Sequence, residues 1–330
     1  MYIHMPRWQL KLCTIAVVAL ICVTVTTPTF MLRRALRTFT HIRPFSTQSM
    51  TKTLFFCDWD ETITKSDTLG LIADAAYTQP DISPEMPPWS YFGETYLADL
   101  DKHEKAYGPR DTIEKQFDYL SKMGPIEIAS VTRVENSGLF KGVPVEAVRE
   151  QSKNARARTG WWEFAQRLQR DSDVGDVKVI IVSVNWSKTF IETFLAKGRV
   201  HDMLFEVYAN EVMMDENGKG TGALSKKLDK GIRTGMDKLR VMKEIMEREG
   251  GREGKKVIYA GDSNTDLPCL LEADIGVVLG RSGSLAKTCQ NLGIEIHEGL
   301  DGCNLERAKD RHVFYRIDDW TTVLDKGLLD

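Results

Sequence analysis

The stretch Thr53-Leu-Phe-Phe-Cys-Asp-Trp-Asp-Glu-Thr62 decides the fold class of this 330-residue chain. Its apolar run, from Leu54 to Cys57, is short and continuous, and acidic residues follow it at once. Such a run is typical of a strand that is buried on both faces of a parallel sheet. The stretch therefore predicts a buried strand that presents two carboxylates, Asp58 and Asp60, where it ends.

Similar apolar runs recur along the chain and alternate with segments whose apolar residues have helical spacing. The other predicted strands lie at 178–183, 256–260, 275–279, 293–296 and 312–317, and the clearest helices at 161–169, 188–196 and 237–248. This alternation predicts a doubly wound parallel α/β sheet. Residues 205–208 and 222–224, on either side of Asn217-Gly218, predict a β-hairpin with an Asn-Gly turn.

The first and second predicted strands are separated by more than 100 residues. Residues 67–157 lack strong β runs and contain several helix-like pieces, and prolines between Pro80 and Pro88 interrupt the early part. A segment of this length is too long for a plain crossover between neighbouring strands. The sequence therefore predicts an inserted helical domain, the cap, at 67–157, and a core formed by 51–66 and 158–330.

The composition, 42% hydrophobic and 28% charged, excludes wholesale disorder, collagen and multi-span membrane proteins. Since the whole chain carries −3 and residues 1–50 carry +6, the remaining 280 residues carry −9. That balance argues against a nucleic acid partner. The six cysteines show no CxxC spacing and the six histidines no HExxH, which argues against a disulfide framework and a structural zinc site.

Residues 1–50 predict a targeting leader. Residues 12–32 are uncharged and long enough to span a bilayer, whereas 31–50 are rich in Arg, Ser and Thr and free of acids, as in a mitochondrial transit peptide. In one interpretation the first 30 residues form a signal anchor. In the other, which we favour, a mitochondrial presequence starts at Met31. Met50 offers a third start, for a cytoplasmic form.

Four short motifs carry the residues suited to chemistry. They are Asp58-Trp-Asp60, Ser183, Lys238 and Gly261-Asp262-Ser-Asn-Thr-Asp266. Three of them follow predicted strands, and in an open α/β sheet the carboxyl ends of the strands form the site. Four carboxylates gathered there would repel each other unless a hard dication and the Lys238 ammonium offset their charge. Mg²⁺ is the natural candidate, because it prefers oxygen ligands and substrate phosphate.

This ordered set resembles the four motifs of the haloacid dehalogenase (HAD) superfamily, and the insertion resembles the helical type-1 cap of its phosphoserine phosphatase-like members. The run Asp58-Trp-Asp-Glu-Thr62 is similar to the phosphocholine/phosphoethanolamine phosphatase branch. Tyr208-Ala-Asn-Glu211 and Ile317-Asp-Asp-Trp320 are similar to fungal HAD-like hydrolases. The resemblance covers residues 53–320 and implies a Rossmann-like parallel sheet core.

The resemblance also implies a role for each motif residue. Asp58 is the nucleophile that forms an aspartyl-phosphate, and Asp60 is the general acid and then the base that activates water. The implied phosphate-binding residues are Thr62, Ser183 and Lys238. The implied magnesium ligands are the Asp58 carboxylate, the Asp60 backbone carbonyl and Asp262, with Asp266 supporting them by holding a metal-bound water or orienting Lys238.

One departure from the family concerns the residues after Ser183. Val184-Asn185-Trp186 stand where phosphoserine phosphatases have a pair of glycines, so we expect a different rim around the substrate. We expect the chain to be a Mg²⁺-dependent phosphatase of a small phosphorylated metabolite, touching membranes only through its N-terminal segment. The alternatives are a phosphotransferase or mutase, which shares the first half-reaction, and a non-catalytic phosphate-binding regulatory protein. The presence of both Asp58 and Asp60 argues against the last.

Overall fold

The computed structural model describes residues 52–198, 200, 204–224, 231–281, 283–303, 313–325 and 328–329. The predicted leader, with its hydrophobic segment at 12–32 and presequence-like segment at 31–50, lies outside the described residues. Within those ranges, no helix is both long and apolar enough to cross a membrane.

The described strands form one parallel sheet of seven and a separate pair. They are β1 (Thr53–Cys57), β2 (Val177–Val182), β3 (Phe205–Tyr208), β4 (Val212–Met214), β5 (Gly220–Leu224), β6 (Lys256–Gly261), β7 (Ile275–Leu279), β8 (Glu295–Glu298) and β9 (Val313–Ile317). The sheet has the order β3-β2-β1-β6-β7-β9-β8, and β4 pairs with β5. Within the described residues, all neighbouring strands of the large sheet pair in parallel.

The central strand β1 is buried on both faces, as its apolar run predicted. Phe55 and Cys57 belong to the core on one side of the sheet, and Leu54 and Phe56 to the core on the other. The strand order reverses at β1, because β2 lies on one side of it and β6 on the other. A crevice outside the carboxyl ends of the strands is expected at this switch point.

The helices cover both faces of the sheet and form the insertion. They are α1 (Leu69–Tyr77), α2 (Trp89–Tyr107), α3 (Ile113–Ser121), α4 (Gly124–Ser137), α5 (Val145–Gln151), α6 (Trp161–Asp173), α7 (Lys188–Leu195), α8 (Gly235–Arg248), α9 (Leu267–Glu272), α10 (Gly283–Leu292) and α11 (Thr321–Asp325). Helices α1 to α5 and a 3₁₀ turn at Ser152–Asn154 lie within the predicted cap range. The doubly wound sheet with an inserted helical cap is thereby confirmed.

Two adjacent extended segments join the cap to the core. Thr64 pairs with Ala157 in an antiparallel bridge, and the Lys65 amide donates to the Arg156 carbonyl at 2.9 Å. On the other side of the insertion, Met236 at the start of α8 packs against an apolar cluster of the cap that includes Leu120 and Met123. The cap therefore rests on the helix that carries Lys238.

The hairpin prediction was right about the turn and wrong about one strand. Val212–Met214 pairs with Gly220–Leu224 across the Asn217-Gly218 turn, where Gly218 has a φ of +71°. Residues 205–208 instead extend the main sheet as β3, parallel to β2. The right-handed crossover through α7 brings this run back beside β2, and a short run offers no local signal of that distant pairing.

Candidate active site

Three buried carboxylates meet where β1 and β6 end. Asp58 follows β1 directly, and its amide donates to the Ala260 carbonyl of β6 at 2.9 Å. Asp58, Asp262 and Asp266 each place a carboxylate oxygen within 4.8 Å of the others. Their exposed fractions are 5%, 5% and 0%. The structure thus brings together three of the four predicted acidic side chains.

Lys238 supplies the positive charge beside this cluster. Its ammonium lies 2.7 Å from Asp58 Oδ1 and 2.8 Å from Asp266 Oδ1, and the side chain is fully buried. Burial acts to lower the pKa of Lys238, but the two carboxylates outweigh it and raise that pKa above its usual range. The helix starts with a capping box between Thr234 and Asp237. This cap satisfies backbone amides at the helix start and sets where Lys238 enters the site.

Asp266 is saturated by hydrogen-bond donors. Tyr259 donates its hydroxyl to Oδ1 at 2.8 Å, and Ser263 donates both its amide and its hydroxyl to Oδ2. Burial acts to raise the pKa of Asp266, yet Lys238 and these donors outweigh it and lower that pKa. Asp266 is therefore a stable anion that fixes Lys238. Gly261 leaves room for it, since a Cβ there would lie 2.5 Å from Asp266 Cγ.

Asp58 and Asp262 carry the unbalanced charge of the cluster. Burial, followed by repulsion from Asp266, raises the pKa of Asp58 to about 7 and that of Asp262 to about 8. Thr62 donates its hydroxyl to Asp262 Oδ1 at 3.0 Å. Three carboxylates facing one ammonium would leave two negative charges in a buried space. A divalent cation with oxygen ligands offsets such a charge.

Asp60 lies in a different environment, although it is only two residues from Asp58. Its Oδ1 accepts from the Thr68 amide at 2.8 Å and the Thr68 hydroxyl at 2.6 Å, and its Oδ2 accepts from the Asn185 amide group at 2.9 Å. All three donors are neutral. Burial, followed by repulsion from Asp67, raises the pKa of Asp60 to about 7 against the opposing effect of these donors.

Ser183 lies at the end of β2, and its side chain is linked to Asp60 through Asn185. The Asn185 backbone amide donates to Ser183 Oγ at 3.1 Å, while the Asn185 side chain contacts Asp60. Ser183 is 1% exposed. The predicted phosphate contacts of Ser183 and Thr62 stay predictions.

Comparison with known proteins identifies the family of this arrangement. The pattern of the haloacid dehalogenase-like hydrolases matches residues 55–271, more than half of the chain. The chain belongs to this family. The match begins in the strand that presents Asp58 and ends beyond Asp266, so it spans the whole cluster.

Individual relatives of this HAD hydrolase come from fungi and a plant. A CTO1 family protein of Schizosaccharomyces pombe is 29% identical over 68% of this chain and 81% of its own length. Cold tolerance protein 1 of Saccharomyces cerevisiae is 26% identical over 69% of this chain and 78% of its own. The mitochondrial bifunctional TH2 protein of Arabidopsis thaliana is 25% identical over 73% of this chain and 42% of its own. The fungal relatives agree with the resemblance found in the sequence.

Sequence reasoning missed three side chains that support the HAD motif residues. Thr68 and Asn185 hold Asp60, and Tyr259 holds Asp266. Asn185 did stand out in the sequence, because it lies where phosphoserine phosphatases have a pair of glycines. That difference did not indicate that its side chain contacts Asp60. Thr68 precedes a helix and Tyr259 lies inside a buried strand, so both have ordinary structural explanations in the sequence.

Two residues that are distant in the sequence, Arg158 and Trp320, hydrogen-bond to the loop after Asp60. Trp320, which is fully buried, donates its indole N–H to the Thr62 carbonyl at 3.0 Å. Arg158 donates to the Glu61 carbonyl and, at 3.1 Å, to the Asp318 carbonyl. Glu61 has a φ of +53°, in the left-handed region that favours glycine. These contacts fix a tight turn directly behind the two aspartates.

Proposed function

We propose that this HAD hydrolase is a Mg²⁺-dependent phosphomonoesterase that cleaves a small phosphorylated metabolite through an aspartyl-phosphate on Asp58. The observation that supports this most strongly is the contrast between Asp58 and Asp60. Asp58 faces an ammonium in a charged cluster, whereas Asp60 is held by neutral donors. Both pKa values are raised to about 7, but a dication held by the Asp58 carboxylate would favour the ionised form of Asp58, so the two carboxylates can divide the tasks of nucleophile and acid.

In the first half-reaction, an Asp58 oxygen attacks the phosphorus atom and the bond from phosphorus to the leaving oxygen breaks. Asp60 gives its proton to that oxygen, so an alcohol departs. A pKa of about 7 lets Asp60 hold this proton near neutrality. In the second half-reaction, Asp60 takes a proton from water, the water oxygen attacks phosphorus, and inorganic phosphate leaves Asp58 as a free carboxylate.

The residues present fit a magnesium ion. Asp58 and Asp262 would hold it through their carboxylates, with the Asp60 backbone carbonyl as a further ligand, because the Asp266 oxygens are already taken by protein donors. When bound, the ion would supply positive charge next to the transferring phosphoryl group. Lys238 would neutralise the phosphoryl oxygens from the other side of Asp58.

The helical cap is a suitable lid for a small substrate. Trp186, next to Asn185 at the rim, packs edge-on against Trp89 of the cap with ring centroids 5.8 Å apart. A cap that closes over the site would exclude water from the first half-reaction and select the substrate by its shape.

The test is phosphate release from a panel of phosphomonoesters by the full chain. We expect hydrolysis with Mg²⁺, loss of activity in EDTA and recovery when Mg²⁺ is restored. Asp58→Asn should lower phosphate release by at least about 10⁴-fold, since it removes the nucleophile, while the circular dichroism spectrum stays unchanged. Asp74→Asn, at an exposed position of α1, is the matched control and should keep full activity.

Two results would contradict this function. One is substantial Mg²⁺-dependent activity in Asp58→Asn, and the other is the absence of hydrolysis across the panel. Transfer of phosphate to a second metabolite in place of water would instead identify a phosphotransferase.

We also propose that the protein works in mitochondria. The acid-free, Arg-rich composition of residues 31–50 supports this, as does the similarity to a mitochondrial plant protein. A fluorescent fusion of the full chain should label mitochondria. Labelling of the cytosol or the endoplasmic reticulum would contradict the proposal.

A further inference from the structure

The segment Tyr208-Ala-Asn-Glu211, which follows the edge strand β3, contains a buried amide with an unusual set of partners. Asn210 is 7% exposed, and it lies at the carboxyl end of the sheet beside β2. Among the described residues, its side chain hydrogen-bonds to Val184, Asn185 and Ile232 and not to Asp58, Asp60 or Lys238. Its side chain instead hydrogen-bonds to two backbone segments. One contains Asn185, which contacts Asp60, and the other leads into the helix that carries Lys238.

The first of these segments is the loop after β2. Asn210 Nδ2 donates to the carbonyls of Val184 at 3.0 Å and Asn185 at 3.1 Å, and its backbone amide also donates to the Asn185 carbonyl at 3.1 Å. Asn185 in turn contacts Asp60. The side chain of Asn210 therefore holds the backbone from which the Asp60 contact is made.

The second segment leads into α8. Asn210 Nδ2 donates to the Ile232 carbonyl at 2.8 Å, and Asn210 Oδ1 accepts from the Ile232 amide at 2.9 Å. Ile232 lies two residues before Thr234, which caps α8. The same amide group that holds the loop of Asn185 thus also holds the entry to the helix of Lys238.

We propose that Asn210 is a positioning residue that sets the general acid Asp60 and the phosphate-binding Lys238 in register with each other. The proposal rests on the proposed function. A carboxamide offers two N–H donors and one acceptor oxygen, so at Asn210 the two N–H groups serve three carbonyls, one N–H being shared, while the oxygen accepts from the Ile232 amide. An aspartate in its place would direct carboxylate oxygens at carbonyl oxygens, so the role requires the amide.

The test compares two aryl phosphates that differ in the acidity of the leaving phenol, phenyl phosphate and 2,4-dinitrophenyl phosphate. A phenolate as stable as dinitrophenolate departs without a proton, so a misplaced Asp60 should matter for phenyl phosphate alone. We expect Asn210→Ala to lower kcat for phenyl phosphate by about 30-fold, part of the 10²–10⁴-fold that a general acid contributes, and for the dinitrophenyl ester several-fold less.

Two further variants distinguish a loss of positioning from a general loss of stability. In an Asn185→Ala background, Asn210→Ala should leave the ratio of the two kcat values unchanged, because its effect on Asp60 runs through Asn185. Val207→Ala, which opens a cavity in neighbouring β3 without removing a polar contact, should lower the unfolding midpoint and leave the ratio at its wild-type value. If Asn210→Ala does not fold, Asn210→Ser replaces it in the same measurements.

Amide hydrogen exchange tests the proposal without any substrate. In Asn210→Ala, residues 184–187 and 231–235 should both exchange faster, while the amides of β6 keep their wild-type rates. Wild-type exchange in either segment, or a wild-type ratio of the two kcat values, overturns the proposal. If the wild-type protein hydrolyses no phosphomonoester of the panel, the proposed function fails, and the exchange experiment alone then decides the role of Asn210.

Discussion

The two halves of the site use the same residue type in opposite ways. On the β6 side, Asp58 and Asp266 share the buried ammonium of Lys238. On the β2 side, Asp60 is held by a hydroxyl, a backbone amide and a carboxamide, none of which carries charge. The difference shows that the partner decides what a buried carboxylate can do. The ammonium and three further donors lower the pKa of Asp266, whereas neutral donors do not prevent burial from raising the pKa of Asp60 to about 7, so that Asp60 can hold a proton near neutral pH.

The charged half should be the more fragile one. Lys238→Met leaves Asp58 and Asp266 buried without their cation, so we expect a loss of activity of about 10³-fold or more and a loss of about 3 kcal/mol in the free energy of unfolding at pH 8. Phosphate release and urea unfolding measure the two effects. Lys243→Met, on the same helix but with a half-exposed side chain paired to Glu272, should change neither by much. Equal effects in both variants would refute the distinction.

The neutral half should lose chemistry and keep its fold. Asp60→Asn preserves size and the acceptor for the two Thr68 donors but cannot transfer a proton, so we expect a loss of about 10²-fold or more in kcat for alkyl phosphates. The loss should be much smaller for an activated aryl ester. The free energy of unfolding should fall by no more than about 1.5 kcal/mol, because only the bond from the Asn185 side chain is lost. A uniform loss across leaving groups would remove Asp60 from the role of acid.

In the cap, outside the site, burial also raises the pKa of a carboxyl group, that of Glu127. Tyr96 donates its hydroxyl to Glu127 at 2.8 Å, and burial raises the pKa of Glu127 from its ordinary value of 4.5 to about 7. The folded protein therefore binds more protons than the unfolded chain between these values, and the associated stability is lost as pH rises through that window. Glu127→Gln should thus gain little at pH 5 and about 2 kcal/mol at pH 8 in urea unfolding. A gain that does not depend on pH would contradict this explanation.

The smallest effect should come from trimming one neutral donor. Thr68→Val removes the hydroxyl that donates to Asp60 and that accepts from the Trp59 indole N–H at 3.0 Å and the Asn185 amide group at 3.1 Å, but it keeps the backbone amide, which donates to the same Asp60 oxygen. One of two donors to this oxygen remains, so we expect a loss in kcat of about 3- to 10-fold, equivalent to about 1 kcal/mol. Thr78→Val, where an exposed hydroxyl donates only to a backbone carbonyl, is the control. A loss as large as that of Asp60→Asn would mean that the hydroxyl has a further role.

The sequence predicted those features that depend on short runs and on strand ends. Leu54 to Cys57 predicted a strand buried on both faces, and the strand ends predicted that Asp58 and Asp262 would meet. The contacts of Asp60 could not be predicted in this way. They join a loop after β1 to a loop after β2, and Asn185 is 125 residues away in the chain. Local pattern carries no information on which side chain of a distant loop will point inward.

The error at residues 205–208 has the same origin. A nearby Asn-Gly turn favoured a local hairpin, whereas the true partner of Val207 is Ile181 on β2, across a helix. Short strands at the edge of a sheet are specified mainly by the neighbour they join, and that neighbour is invisible to a local pattern.

The hydrogen bond from the Trp320 indole bears on when, during synthesis of the chain, the loop after Asp60 can be fixed. Protein chains are made from the amino end, so β1 and both aspartates leave the ribosome long before Trp320 exists. The bond from Trp320 to the Thr62 carbonyl spans 258 residues and therefore closes only after Trp320 has left the ribosome. Contacts of such long range form late, after the loops between them have been ordered. A nascent or truncated chain that lacks Trp320 would therefore carry Asp58 and Asp60 next to a loop without this hydrogen bond.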